Sequence, residues 1–131
     1  FRTGTTFDGA VRELAILTVA RATDSRVMWL AHVPLALREG VTEEQIVALK
    51  AGAPRNFTNA QAVVIGFSER LTASPAVSDD EWAGVRAHFG ERELVELTLL
   101  VGYYNMVARF LGAVQFEVDE EYYAAVPVGL R

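Results

Sequence analysis

Two side chains in the first quarter of the chain have the types needed for proton transfer, Glu13 and His32. Both lie in the stretch Arg12–Ala36, RELAILTVARATDSRVMWLAHVPLA. A carboxylate and an imidazole set among apolar residues form a candidate general acid–base pair. Around Glu13 the helical neighbours one and two turns on are Ile16, Leu17 and Ala20, which is not a solvated face. Apolar surroundings favour the neutral form of a carboxylic acid, which is one way a general acid is made. Residue type alone, however, favours a structural role for Glu13, paired with Arg12, Arg21 or a basic group of another subunit. His32 likewise reads as a core histidine bonded to a backbone carbonyl, although Trp29 and Pro34 beside it strengthen the functional reading. Ser25, Met28, Trp29 and His32 share one stripe of the helix that carries it.

Further along, Gly102, Asn105, Arg109 and Gly112 fall on one helical stripe. Two glycines admit close approach of another backbone, and Asn105 and Arg109 need partners there. Arg109 reads either as one half of an ion pair with a protein carboxylate, which its type favours, or as a clamp for a substrate carboxylate. Glu96 is a second half-buried carboxylate candidate. His88 stands at a helix end, where a cation suits the dipole, and reads as structural.

The elements that must position these groups are helical. Asp8 caps a first helix to about Thr23, and Thr23 or Asp24 caps a second that runs to about Glu39 and stops at Gly40. Pro34 falls inside it, so a kink is expected within a turn of His32. Three capping boxes follow: Thr42 with Gln45, Thr58 with Gln61, and Ser78 with Glu81. They start helices ending near Ala51-Gly52, Thr72 and Phe89-Gly90. A last long helix spans about Glu91 to Val114. Residues 1–7 read as an arm or loop, and the tail from Gln115 to Arg131 as a segment that packs on a neighbouring surface or lies loosely. No alternating strand pattern is convincing. The fold class is all-α, about six helices in a single domain over residues 1–131. One echo stands out: Arg12-Glu13-Leu14 with Leu17-Thr18 recurs as Arg92-Glu93-Leu94 with Leu97-Thr98. It reads as a repeated helical pair or as a chance match between Leu-rich helices.

Composition narrows the function classes. With 131 residues, 51% of them apolar, the chain can bury one sizeable core. A net charge of −5 with scattered basic residues is no footprint for nucleic acid. No uninterrupted apolar run of about 18 residues suggests a membrane span, and no signal peptide is visible. The chain begins Phe-Arg-Thr-Gly without an initiator Met, so trimming of a leading segment is expected. The absence of cysteine removes disulfides and thiol redox chemistry. It is compatible with a reducing, cytoplasmic setting. Two histidines without an HxxxH or HExxH spacing argue against a zinc or iron centre.

Taken in order, several motifs resemble the carboxymuconolactone decarboxylase family, a group that includes alkyl hydroperoxidase D. They are Arg12–Leu17, then Trp29-x-x-His32-Val33-Pro34-Leu35-Ala36, then Gly40–Ile46, and finally Leu94–Leu111. The resemblance spans about residues 8–115. It implies an all-α fold that forms homo-oligomers, commonly trimers or hexamers, with pockets at or near subunit contacts. In hydroperoxidase members a Glu, a Cys-x-x-Cys pair and a His form a proton relay and redox centre. Glu13 and His32 match the Glu and the His, while the cysteine positions fall on Ser25 and Met28, which disfavours thiol peroxidase chemistry. Relatives often carry an acid where Met28 stands, so a mechanism needing two carboxylates at this end of the pocket is not expected.

The resemblance further implies a lyase or isomerase acting on a small carboxylated or lactone-type substrate without metal or organic cofactor. His32 would donate the proton and Glu13 would orient it. Ser25, Met28, Trp29, Asn105 and Arg109 would contact substrate, with Arg109 or a neighbouring subunit's arginine on its carboxylate. The competing expectation is a catalytically silent binding or assembly protein of the same fold, in which Met28 and Trp29 fill the pocket.

Overall fold

The first helix starts where Asp8 accepts a hydrogen bond from the Ala10 amide, and α1 runs Gly9–Ala22. Every residue of α1 from Ala10 to Ala20 is buried, Arg12, Glu13 and Thr18 included. A helix apolar on nearly all sides has no face to offer solvent, so its neighbours must enclose it. It packs against α2 (Arg26–Arg38), α3 (Glu43–Lys50), α4 (Asn59–Ala73) and α6 (Glu91–Ala113). The computed structural model describes residues 8–53 and 55–131. Within them are seven α-helices, one 3₁₀ turn and no strand. The expected arm at residues 1–7 lies outside the described residues.

The turn between α1 and α2 differs from expectation at its cap. The Thr23 hydroxyl donates to the Val19 carbonyl and closes α1. Asp24 makes the reversal with a φ of 53°, a conformation that Asp tolerates better than most residues. Ser25 therefore becomes the N-cap of α2, and its side chain makes no capping bond. Pro34 lies inside α2 as expected. The helix ends at Gly40, whose φ of 94° suits glycine, and the Val41 amide reaches back to the Ala36 carbonyl.

All three capping boxes form both of their bonds. Thr42 and Gln45 start α3, and Thr58 and Gln61 start α4. Ser78 and Glu81 start α5, Asp79–Arg86, which stops before the expected Phe89-Gly90. By length and composition α6 could cross a membrane, yet Leu94, Leu97, Leu100 and Val101 bury one face of it in the core.

The tail is not loose. It forms α7 (Glu120–Ala124) and a 3₁₀ turn, Val128–Leu130, and folds back onto α2 and α3 of its own chain. Val126 and Leu130 are buried, and Leu130 gives its carbonyl to the Trp29 indole N–H at 2.8 Å. An indole donor buried without an acceptor is unfavourable, so this bond fixes the end of the chain to the helix that carries His32.

The enclosure of α1 sets a stability contrast. Leu14→Ala, at a fully buried position, should cost about 2–5 kcal/mol. Val47→Ala, at a half-exposed one, should stay within about 0.5 kcal/mol. Urea unfolding followed by circular dichroism measures both.

Candidate functional site

Glu13 lies at the middle of α1 with no solvent exposure, and His32 lies on α2 with 8%. Because α1 and α2 pack side by side, the two side chains meet, with Glu13 Oε2 2.8 Å from His32 Nδ1. The other carboxylate oxygen, Oε1, is buried and has no hydrogen-bond partner among the described residues. The nearest cation is Arg12, whose Nε stands 3.6 Å away, beyond hydrogen-bond distance. Arg12 is itself drawn the other way, donating from Nη2 to Glu39 Oε1 at 3.2 Å. Glu39 can reach it because Gly9 has no side chain: a Cβ there would fall 2.0 Å from Glu39 Oε2.

The third wall comes from α6. The His32 and Tyr104 rings meet edge to face with centroids 5.2 Å apart. Tyr103 in turn packs edge to face on Tyr104. The imidazole is therefore held by a carboxyl group at Nδ1 and an aromatic ring at its side. An ionised carboxylate at Nδ1 would keep the proton on that nitrogen, and Nε2 would then be the atom that exchanges one. Such a pair can move a proton at one defined atom. No group of three or more His, Asp or Glu able to hold a metal ion occurs among the described residues.

The other residues singled out in the sequence lie in different places. Met28 is buried in the core. Ser25 and Trp29 line a cavity of about 250 Å³ that neither Glu13 nor His32 lines. Asn105 and Arg109 line a wide groove between α4 and α6. There Asn105 donates to the Thr72 hydroxyl and the Val101 carbonyl. Arg109 donates to Asn105 Oδ1 at 2.7 Å and meets the Asn105 carbonyl rather than a protein carboxylate. Glu96 is half-buried with Arg92 at 3.4 Å, and His88 is exposed beyond the end of α5. Within one chain Glu13 and His32 meet, while Ser25 with Trp29, Asn105 with Arg109, and Met28 occupy three other places.

Sequence reasoning missed Tyr104 and Glu39. Tyr104 was legible as part of the buried spacing Leu97, Val101, Tyr104, Ala108 on α6. Glu39 carried no signal, because its approach depends on a glycine thirty residues away in the chain.

Removing one member of a buried hydrogen-bonded pair leaves the other without its partner and is unfavourable. His32→Leu should therefore destabilise the fold by about 1–3 kcal/mol, and adding Glu13→Leu should recover a large part of the loss. A double-mutant cycle by urea denaturation reads the coupling. Additive losses would show that the two side chains do not interact.

Comparison with known proteins bears on the half of the chain that holds this pair. The model of the carboxymuconolactone decarboxylase family matches residues 1–70, a span that includes Glu13, His32 and α1 to most of α4. The resemblance read in the last long helix lies beyond that span. Among curated proteins no match is found. With more than half of its length matched, the chain belongs to the carboxymuconolactone decarboxylase family.

Proposed function

We propose that the protein is a cofactor-free lyase or isomerase acting on a small carboxylated or lactone-type molecule. The observation that carries this reading is the buried Glu13–His32 contact at 2.8 Å. Loss of carbon dioxide from a β-keto or vinylogous acid leaves an electron pair that an adjacent carbonyl accepts as an enolate. A proton must then return to carbon. His32 Nε2 would deliver it, and Glu13 would hold the ring at Nδ1 and stabilise the imidazolium. Asn105 and Arg109, away from the pair in one chain, would meet substrate only where a neighbouring copy brings such a groove to it.

That requirement joins the reading to assembly. Along α6, Val95, Leu99, Tyr103, Met106, Phe110 and Val114 form one apolar stripe, each between 40% and 64% exposed. We propose that a second copy of the chain covers it, in the trimer or hexamer that family resemblance implies. Light scattering should give a multiple of the 14.4 kDa chain mass, and Leu99→Glu with Phe110→Glu should reduce it to the monomer. A monomeric wild type at micromolar concentration would overturn the assembly reading.

A second reading, a catalytically silent binding protein, has its own observation: Met28 and Trp29 are 2% and 6% exposed, so both side chains fill space near the histidine turn. Carbon dioxide release from carboxymuconolactone separates the two. The lyase reading expects turnover by the wild type and a loss of about 10²–10⁴-fold in His32→Ala, with helix content and oligomer mass retained. No turnover of carboxymuconolactone or of a panel of related acids and lactones by the folded oligomer leaves the silent reading standing.

A further inference from the structure

The chain carries a net charge of −5, yet four of its basic side chains line one cavity. They are Arg21, Arg26, Lys50 and Arg131, contributed by α1, α2, α3 and the tail, around a space of about 250 Å³. Asp24 is the only acid in the lining. Of the four, Arg21 has a carboxylate partner, Glu69, while its Nε is buried with no acceptor among the described residues. Arg26, Lys50 and Arg131 form no ion pair with any described residue. Arg26 and Arg131 instead gather about a single tyrosine, Tyr123, at 5.2 and 6.0 Å from its ring centroid. Arg26 also donates to the Tyr123 hydroxyl, and Arg131 to the Val126 carbonyl.

Like charges brought together from four separate segments repel one another unless something negative lies between them. An aromatic face offsets only part of that repulsion. The cavity also carries neutral donors. Ser25 is the N-cap of α2, but its hydroxyl makes no capping bond and stands in the lining, beside the positive end of a 13-residue helix. Trp29 supplies an apolar wall, its indole N–H already committed to Leu130.

We propose that this cavity binds a compact multivalent oxyanion, a small molecule carrying two or more phosphate or carboxylate charges. Guanidinium forks suit both groups, and Lys50 adds a point charge from the end of α3. The site is distinct from the Glu13–His32 pair and does not depend on the reaction proposed there. Bound anion would link α2, α3 and the tail through one set of charges.

The test is a binding titration with no activity readout. Trp29 lines the cavity, so its emission, isolated by a Trp82→Phe background, should change saturably on addition of pyrophosphate or citrate at fixed ionic strength. Isothermal titration calorimetry supplies the stoichiometry. Saturation by pyrophosphate alone identifies a phosphoryl ligand, and saturation by citrate alone a carboxylate one; either supports the site. Loss of one charged hydrogen-bonding group should weaken binding by about tenfold or more. That loss is expected in Arg26→Gln, Arg131→Gln and Lys50→Gln. The Lys50 side chain makes no hydrogen bond or ion pair among the described residues, so its variant guards against misfolding. Arg92→Gln, which removes an equal charge from exposed α6, should bind as the wild type does. A response matched by sodium chloride, or equal weakening in Arg92→Gln, would overturn the proposal.

Discussion

A carboxylate with no solvent exposure constrains everything packed around it. Glu13 loses its hydration on folding, and α1 supplies no hydrogen bond to its side chain to offset that loss among the described residues. His32 provides a hydrogen bond from α2, and Arg12 provides a longer-range charge from the preceding position. The imidazole must be brought to a helix that is buried along most of its length. The wrapping of α2, α4 and α6 around α1 thus serves two ends, burial of the leucine and valine side chains and delivery of a single imidazole to a single oxygen. The same enclosure leaves Oε1 without a hydrogen-bond partner. A buried acceptor in this state favours whatever brings it a donor.

Much of this was legible in the sequence, and the reasons are local. Asp8, Thr42, Thr58 and Ser78 announced helix starts because a capping side chain bonds within three residues of itself. Leu14 and Leu94 were found in matching contexts, and both carbonyls accept from the threonine one turn on, Thr18 and Thr98. The echo stops there, since Glu13 faces His32 while Glu93 returns to the Gly90 amide. The meeting of Glu13 with His32 followed from two helices joined by a short turn. What was not legible depends on contacts between distant segments. Trp29 reaches a carbonyl at the far end of the chain, and Tyr104 reaches the histidine from α6. Ser25 took the cap position because Thr23 bonded backward into α1, a competition that residue type does not decide.

The molecule presents two unlike surfaces. Among the described residues the outer stripe of α6 is apolar and largely exposed, whereas the α2–tail corner concentrates positive charge. They lie on different elements, so association through one leaves the other accessible in principle to small solutes. The tail packs on α2 and α3 and adds a guanidinium to the charged corner.

The closeness of Glu39 to Gly9 has an effect that reaches beyond packing. Alanine is ordinarily the better helix residue, so replacing Gly9 looks like a harmless improvement. Here the added methyl would swing the Glu39 carboxylate aside and leave Arg12 without its competing anion. The released guanidinium would then be drawn to Glu13, and His32 would have to share the carboxylate it now holds. A missing methyl group at the edge of the fold thus makes room for the carboxylate that draws Arg12 away from the central pair.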